Sequence, residues 1–230
     1  MQGVLLVDKP KTWTSFDVVN YVRKIVATHE GKKPKNVKVG HTGTLDPLAT
    51  GLLVLLVGKE YTRRAGELSK LDKTYEVTMK LGESSTTADE EGEKTPVSDT
   101  QPGQEDISTA LLAFEGEIMQ TPPAFSAMKI NGQRAYKLAR EGKEVALEAR
   151  PVQIKSITMS TYSYPYVAFT THVSSGTYIR SLVEDIGKKL GTGAYMSDLR
   201  RTAIDRFSLD DAVAVQDLSV ETITERLRQL

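Results

Sequence analysis

Runs of hydrophobic residues and regular alternation along the chain predict its strands. Residues 3–7 and 52–57 are continuously apolar, which predicts a first strand and a buried strand. Residues 73–81 alternate between apolar and polar positions, the pattern of a strand with one buried face. Two further strands are predicted over residues 152–162 and 166–173, joined by a turn that contains a proline.

Helical spacing of apolar residues predicts the remaining regular elements. In the first helix Ser15 is the expected N-cap, and the apolar face consists of Phe16, Val19, Val22 and Val26. Further helices are predicted over residues 61–71, 107–114, 134–140, 178–190 and 221–230. We expect Thr177 to cap the fifth of these six helices and Gly191 to end it.

Irregular segments separate these elements. Residues 82–105 are polar and acidic and predict a long connection. Pro122 and Pro123 exclude a helix or a central strand at that point, and Asn131-Gly132 predicts a hairpin turn. Residues 199–202 are expected to follow a turn, with a strand near Phe207.

Length and composition limit the possible classes of protein. The 230 residues suffice for one large or two small domains, and the 39% of hydrophobic residues suffice for a sizeable core. The chain has no cysteine, which excludes disulfides, cysteine-ligated zinc and thiol catalysis. No apolar stretch has the length of a signal peptide core or a membrane span, so we expect a soluble cytoplasmic protein.

The formal net charge is zero, but the charges are segregated along the chain. Residues 1–80 and 119–201 each carry a net charge of +6, whereas residues 81–118 carry −9 and residues 202–230 carry −3. This distribution allows a positive face that attracts a polyanion such as RNA. Mixing of the charges in the folded protein is an equally good interpretation of the counts.

The segment Gly40–Gly51, with the sequence Gly-His-Thr-Gly-Thr-Leu-Asp-Pro-Leu-Ala-Thr-Gly, is the strongest candidate for a functional site. Glycines allow tight turns, and Pro47 favours an extended conformation of Asp46. The segment therefore predicts a stiff loop that presents one carboxylate beside a buried strand. An isolated Asp-Pro would favour a simple turn, but the polar residues around this one favour a ligand site.

Other segments supply candidates for binding and catalysis. Five basic residues between Lys129 and Lys143, with Phe125 and Tyr136 nearby, form a pattern that suits RNA phosphates and bases. An ordinary exposed helix explains that pattern about as well. Arg180 falls in the first turn of a predicted helix, where a cation opposes the helix dipole, so we expect it to pair with a carboxylate.

The residues available restrict the chemistry. The three histidines have no metal-ligand spacing, and the sequence contains no phosphate-binding loop or dinucleotide fingerprint. There remain an acid (Asp46), a phenol (Tyr75) and an arginine able to keep the acid ionised (Arg180). An aspartate beside an arginine is a competent nucleophile or base, which suits reaction at an anomeric carbon.

Several motifs resemble the TruB family of tRNA pseudouridine synthases. The segment Gly40–Gly51 matches the family signature G-H-x-G-T-L-D-P-x-A-x-G completely. The resemblance extends over nearly the whole chain, through the segments 3–15, 73–92, 120–140, 176–180 and 199–202. Thr12 and Asp205 stand where the family usually has glycine, so we expect altered backbone turns there.

The resemblance implies an α+β fold, with a mixed, largely antiparallel central sheet flanked by helices. It also implies isomerisation of uridine 55 in the T loop of tRNA, with neither cofactor nor metal. Asp46 would be the nucleophile, Tyr75 would stack on the target base, and Arg180 would pair with Asp46. The implied substrate-binding residues are His41, Tyr178, Leu199, Lys9, Arg63, Lys129 and Arg140.

The resemblance also implies a domain organisation. Residues 1–230 would form one catalytic domain, in which residues 121–148 project and close over the RNA. The family usually continues into a C-terminal PUA domain, and we expect none here. We expect a monomer. The alternative function is a non-catalytic tRNA-binding or RNA-folding protein on the same scaffold, and a glycosidase would need a second carboxylate that the motifs do not supply.

Overall fold

The computed structural model describes residues 1–126, 128–130, 132–141 and 147–230. These residues form two compact units. The first unit contains Met1–Tyr75 and Leu199–Leu230, and the second contains Glu76–Asp198.

The strands, in chain order, are β1 (Gly3–Lys9), β2 (Val39–His41), β3 (Thr50–Val57), β4 (Lys73–Leu81), β5 (Glu83–Ser85), β6 (Lys94–Pro96), β7 (Gly116–Gln120), β8 (Lys129–Ile130), β9 (Gln133–Arg134), β10 (Arg150–Ser163), β11 (Tyr166–Val173), β12 (Ala194–Ile204), β13 (Phe207–Ser208) and β14 (Val213–Ala214). The α-helices are α1 (Ser15–His29), α2 (Lys59–Arg63), α3 (Ala65–Leu68), α4 (Gln104–Leu112), α5 (Ala135–Arg140), α6 (Ile179–Leu190) and α7 (Val220–Arg226). Short 3-10 turns occur at Pro34–Asn36, Leu209–Asp211 and Val215–Asp217.

The first unit is organised around the pair of strands β1 and β3. They run antiparallel, with β14 parallel to the outer edge of β1 and β12 parallel to β3 at Thr50 and Gly51. Strand β2 pairs antiparallel with β3. Alternate residues of β1 and β3 point to opposite faces, and both faces are buried, which explains the continuous apolar runs in the sequence.

Helix α1 covers one face of this pair of strands. Val18, Val19, Val22 and Val26 pack against Leu5, Val7, Leu53, Leu55 and Val57. The predicted apolar face is wrong at Phe16, because Phe16 is 58% exposed and Val18 is buried instead. The predicted N-cap is also wrong, since Thr14 caps the helix in a reciprocal capping box with Asp17.

The second unit contains the long hairpin of β10 and β11, with β4 beside β11 and β7 beside β10. The pairs β10–β11 and β7–β10 are antiparallel. Helix α4 packs against β10 and against α6. Burial of Tyr75, Val77, Met79 and Leu81 confirms the alternating face predicted for β4.

Several predicted boundaries are corrected by the structure. The helix expected over residues 61–71 is two short helices, because the backbone leaves helical geometry at Arg64 (φ −86°, ψ 1°). The acidic connection 82–105 contains the hairpin of β5 and β6 and the start of α4. Residues 199–202 lie inside β12 and do not follow a turn.

The segment 121–148 is only partly described. Strands β8 and β9 pair antiparallel with Ile130 opposite Gln133, which confirms the predicted hairpin, although Asn131 itself lies outside the described residues. Helix α5 confirms the short basic helix. Gly142, its predicted end, also lies outside the described residues.

The mixed, largely antiparallel sheet with flanking helices confirms the predicted fold class. Within the part of the chain that the structure describes, every helix is too short or too polar to span a bilayer.

Candidate active site

The signature loop, residues 40–51, connects β2 to β3 in the first unit. It begins where Gly40 and His41 pair with Leu56 and Leu55, and it ends where Thr50 enters β3. Asp46 lies in the middle of the loop and is half-buried. The loop is therefore fixed at one end by β2 and at the other by β3, which is fully buried beyond Thr50. Asp46 lies between these two ends.

Two side chains outside the loop bond to its backbone next to Asp46. The Ser15 hydroxyl accepts a hydrogen bond from the Leu45 amide (2.8 Å) and donates one to the Leu45 carbonyl (3.0 Å). The Lys9 ammonium donates to the carbonyls of Trp13 (2.6 Å) and Pro47 (3.4 Å). Both peptide neighbours of Asp46 are thereby fixed by buried polar groups.

Arg201 of β12 bonds to both sides of the same loop. Its Nε donates to the Leu52 carbonyl (2.8 Å) and its Nη2 donates to the Gly43 carbonyl (3.0 Å). The residue is only 1% exposed. One guanidinium therefore fixes the distance between Gly43, in the loop, and Leu52, just after it. Asp46 lies between these two residues in the chain.

Three cationic side chains, those of Lys9, Lys73 and Arg201, are buried close to the loop. Burial lowers the pKa of Lys9 to about 8, with Asp46 opposing the shift and Arg201 adding to it. Burial and Arg201 likewise lower the pKa of Lys73 to about 8. Two lysines with lowered pKa values are therefore buried beside the loop, in the field of Arg201.

His41 is held in its neutral form. Burial, and then the charge of Arg201, lower the pKa of its imidazole below the ordinary value. Its Nδ1 is buried and has no hydrogen-bond partner among the described residues. A neutral imidazole with an unsatisfied nitrogen is suited to contact a ligand, because buried polar atoms of native proteins normally have partners.

The second unit contains the predicted arginine. Arg180 lies in the first turn of α6 and is 7% exposed, and its Nη1 lies 3.3 Å from the carboxylate of Asp89, itself buried. Its guanidinium also donates to the carbonyls of Thr87 (3.2 Å) and Phe125 (2.8 Å). The unfavourable position of Arg180 in the helix is thus offset by a buried carboxylate, as the sequence predicted. The pairing of Arg180 with Asp46 stays a prediction.

Tyr178 precedes Arg180 and is the N-cap residue of α6, which corrects the predicted cap at Thr177. The buried Gln120 side chain fixes its backbone through bonds to the Tyr178 amide (2.8 Å) and carbonyl (3.0 Å). The Arg150 guanidinium lies 5.3 Å from the centre of the Tyr178 ring. The phenol ring is therefore oriented from two sides.

The other predicted site residues have less well-defined surroundings. Tyr75 and Leu199 are each 7% exposed, in β4 and β12. Arg63 is exposed at the end of α2. Lys129 and Arg140 lie in β8 and at the end of α5, and their side chains are not among those described.

Lys9 has a different position from the one expected of a substrate-binding residue. Its side chain is completely buried and its ammonium is bonded to backbone carbonyls, including that of Pro10 (3.0 Å). We therefore infer that Lys9 supports the loop.

Ser15, Gln120, Asp89 and Arg201 were not predicted as site residues. An arginine in a strand and an acid in a glycine-rich connection have no local pattern that distinguishes them from surface charges.

Among the described residues, no three His, Asp or Glu side chains lie close enough together to bind a metal ion.

Two solved structures share the fold. The chain superposes on a chain of "Crystal Structure of a Cbf5-Nop10-Gar1 Complex" with a TM-score of 0.71 and 31% identity, covering 94% of this chain and 53% of that one. "Structure of H/ACA RNP bound to a substrate RNA containing 2'-deoxyuridine" gives a TM-score of 0.68 and 29% identity, with 94% and 52% coverage. The chain thus spans about half the length of each.

Sequence relatives cover more of their own length. The chain is 42% identical to tRNA pseudouridine synthase B of Clostridium acetobutylicum, over 99% of this chain and 75% of that protein. It is 41% identical to tRNA pseudouridine synthase B of Opitutus terrae, over 99% of this chain and 92% of the relative. The enzyme of the same name from Aquifex aeolicus is 44% identical, with 94% and 73% coverage.

Two family models match consecutive parts of the chain. Residues 30–179 match "TruB family pseudouridylate synthase (N terminal domain)", and residues 180–230 match "tRNA pseudouridylate synthase B C-terminal domain". The fold is therefore that of a pseudouridylate synthase. Within that class, the chain belongs to the TruB family, which confirms the resemblance inferred from the motifs.

Proposed function

We propose that this enzyme isomerises uridine 55 in the T loop of tRNA to pseudouridine, with Asp46 as the nucleophile. The observation that carries the proposal is the anchored signature loop: Ser15, Lys9 and Arg201 bond to its backbone around a half-buried Asp46. The relatives from Clostridium acetobutylicum and Opitutus terrae, both named tRNA pseudouridine synthase B, support tRNA as the substrate.

The reaction breaks one bond and forms another within the same nucleotide. The bond between N1 of uracil and C1′ of the ribose breaks, the base turns, and C5 bonds to C1′. The C5 proton leaves and N1 gains a proton, so the product is an isomer of the substrate. The Asp46 carboxylate acts on the flipped nucleotide as nucleophile, and its fixed loop lowers the cost of orienting it.

Base flipping requires compensation for the unstacking that it causes, a cost of a few kcal/mol. We assign this role to His41, whose neutral and half-buried imidazole would fill the space that the uridine leaves in the T loop. The unsatisfied Nδ1 of His41 supports a contact with RNA at this point. Tyr75 would stack on the flipped base and assist removal of the C5 proton.

The remaining assignments concern the second unit and the surface. Arg180, fixed by Asp89, would pair with Asp46 and keep it ionised. Tyr178 and Leu199 would line the pocket, whereas Arg63, Lys129 and Arg140 would contact phosphates. The enzyme would act as a monomer on the T stem-loop in the cytoplasm, where tRNA is its substrate.

The test is incubation of the protein with an unmodified tRNA transcript, followed by chemical mapping of pseudouridine. We expect modification at position 55 with the native sequence and none with Asp46→Asn. Asp205→Asn is the matched control, since it removes an exposed carboxylate from the same unit and should leave the yield unchanged.

Native protein that binds tRNA without forming pseudouridine would favour the alternative, an RNA-binding or RNA-folding protein. Full activity of Asp46→Asn would exclude Asp46 as the nucleophile while leaving the enzyme class intact.

A further inference from the structure

An open groove of about 500 Å³ runs along the solvent-facing side of α1 in the first unit. The side chains and backbone that line it belong to Thr12, Trp13, Asp17, Asn20, Tyr21 and Lys24. Asp17, Asn20, Tyr21 and Lys24 recur at helical spacing and share one face of α1, whereas Thr12 and Trp13 precede the helix. The volume falls within the range of ~300–1,000 Å³ that is usual for ligand sites.

Aromatic side chains are exposed along this α1 groove. Tyr21 is 36% exposed and meets Trp13 edge to face, with ring centroids 5.8 Å apart. Phe16 does not line the groove but lies one helical turn before Asn20, and it is 58% exposed. Large aromatic rings that remain on the surface of a soluble protein indicate a binding site when they lie together. None of these rings takes part in the mechanism proposed above.

The charged residues that line the α1 groove are Lys24 and Asp17, and the segment of the chain that contains the groove is rich in cations. Residues 11–38 contain seven Lys and Arg against two Asp and Glu. Lys24 lines the groove, and the Arg23 guanidinium lies 5.7 Å from the centre of the Phe16 ring. The one acid that lines it, Asp17, accepts hydrogen bonds from the Thr14 amide (2.9 Å) and hydroxyl (2.6 Å) at the start of the helix.

The groove begins next to the signature loop. The Thr12 amide donates to the Pro47 carbonyl (2.8 Å), and Pro47 follows Asp46 in the chain. The Lys9 ammonium donates to the carbonyls of both Trp13 and Pro47. The wall of the groove and the backbone beside the proposed nucleophile are thus joined through direct hydrogen bonds within one unit.

We propose that the α1 groove binds unpaired nucleotides of the RNA substrate outside the flipped uridine. Bases stack on Tyr21 in the groove and on Phe16 beside it, and Lys24 contacts a phosphate between them. Arg23 supports Phe16, because its guanidinium bonds to Asn20 Oδ1 (2.6 Å) and to the Val39 carbonyl (3.1 Å). Aromatic faces with interspersed cations are the arrangement that binds unpaired nucleotides without strict sequence preference. The proposal rests on the proposed function for the identity of the RNA.

Trp13 is the only tryptophan in the chain, so the tryptophan fluorescence of the protein reports on this groove alone. Titration of the native protein with unmodified tRNA should change the Trp13 fluorescence in a saturable manner and protect it from quenching by iodide. Phe16→Ala and Tyr21→Ala should each raise the dissociation constant for tRNA about fivefold to 150-fold, the effect of losing one stacked base. Lys24→Ala should reduce the slope of log K against log salt concentration by about one.

Tyr166→Ala is the matched control, because Tyr166 is an aromatic residue of β11 with 47% exposure. It should leave tRNA affinity unchanged. Circular dichroism of every variant establishes that an altered affinity does not result from unfolding.

The outcomes separate this proposal from the proposed function. If Phe16→Ala and Tyr21→Ala both bind tRNA with native affinity and pseudouridine is still formed, the proposed RNA binding by the α1 groove is overturned and the enzymatic function stands. Weakened RNA binding in these variants without any pseudouridine formed by the native protein supports the groove and overturns the function. Trp13 fluorescence that does not respond to saturating tRNA also overturns the groove, and would leave a protein partner as its occupant.

Discussion

At the scale of single residues, two departures from the family pattern coincide with unusual backbone conformations. Thr12 and Asp205, which stand where the family usually has glycine, have φ values of +74° and +49°. The left-handed region costs an ordinary L-residue ~1–2 kcal/mol, and aspartate tolerates it better than a β-branched threonine. Both turns therefore place a non-glycine residue in a conformation that glycine adopts more readily, and Thr12 is under greater strain than Asp205.

Replacing Thr12 with glycine should stabilise the protein. Removal of the Cβ relieves the strain at φ +74°, while the added flexibility of the unfolded chain offsets part of the gain, so we expect a net increase of about 0.5–1 kcal/mol. Urea denaturation measures the change in the free energy of unfolding. Asp205→Gly should give a smaller gain, and a loss of stability in Thr12→Gly would mean that the strain is absent.

Asp89→Asn tests the support of Arg180 at the same scale. The substitution preserves shape and removes the carboxylate 3.3 Å from the Arg180 guanidinium, while the bonds to the Thr87 and Phe125 carbonyls remain, so we expect a loss of about 1–3 kcal/mol. We expect lower stability and, because Arg180 loses its orientation, at least a tenfold slower single turnover. Asp99→Asn, an exposed acid of the same unit, is the control. Unchanged turnover would show that Asp89 does not position Arg180 for catalysis.

At the scale of elements, the contact of β3 with β12 fixes the end of the signature loop. Gly51 has φ +98°, and a Cβ there would overlap the Arg201 carbonyl oxygen and lie 2.8 Å from the Arg201 nitrogen. These are backbone atoms of a paired strand and have no room to move. The requirement for glycine is therefore set by close strand packing as well as by the left-handed conformation.

Gly51→Ala should destabilise the protein by at least ~3 kcal/mol, because it combines a left-handed alanine with separation of the two strands. Gly40→Ala is the control within the same signature, since its added Cβ would meet only Thr62 Cγ2 at 3.7 Å. Thermal and urea unfolding compare the two variants. Equal stability of both would show that β3 and β12 separate at little cost.

The same elements show which features can be predicted from sequence. Strands β1, β3, β4 and β11 follow from apolar runs and alternation, because each has one largely or completely buried face. Strand β10 also follows from its sequence, although only Val152, Ile154 and Ile157 are buried in it. Strand β12 was missed because its core-facing side chains include Arg201, a charged residue that is buried only through distant carbonyl partners. Periodicity depends on hydrophobic burial and contains no information about such partners.

The site was predictable to a similar extent. The loop with Asp46 is contiguous, so its glycines and proline indicate its function directly. The groups that hold it come from residues 9, 15 and 201, and no local pattern connects these positions. Arg180 could be assigned a carboxylate partner from its place in the helix, but the identity of Asp89 required the fold.

At the scale of the whole molecule, the zero net charge conceals an uneven distribution of ionisable groups. Lys9, Lys73 and Arg201 are buried in the first unit close to the signature loop, and Lys73 Cε would lie 3.6 Å from a Cβ added to Gly43. Burying these cations costs stability. Lys9 and Arg201 bond to the backbone of the loop that contains Asp46, so part of this cost is linked to the proposed catalysis.

This arrangement predicts an unusual dependence of stability on alkaline pH. A lysine titrates near pH 10.5 in the unfolded chain, whereas Lys9 and Lys73 have pKa values of about 8 in the folded protein. Between pH 8 and 10.5 the unfolded state therefore binds more protons than the folded state, and the contribution of these lysines to stability rises with pH.

Lys73→Met should remove about half of this rise, and Lys70→Met, which changes an exposed lysine nearby, should remove none. Urea unfolding at pH 7.5, 8.5 and 9.5 gives the slopes. The same slope for the native protein and Lys73→Met would show that Lys73 keeps an ordinary pKa in the folded protein.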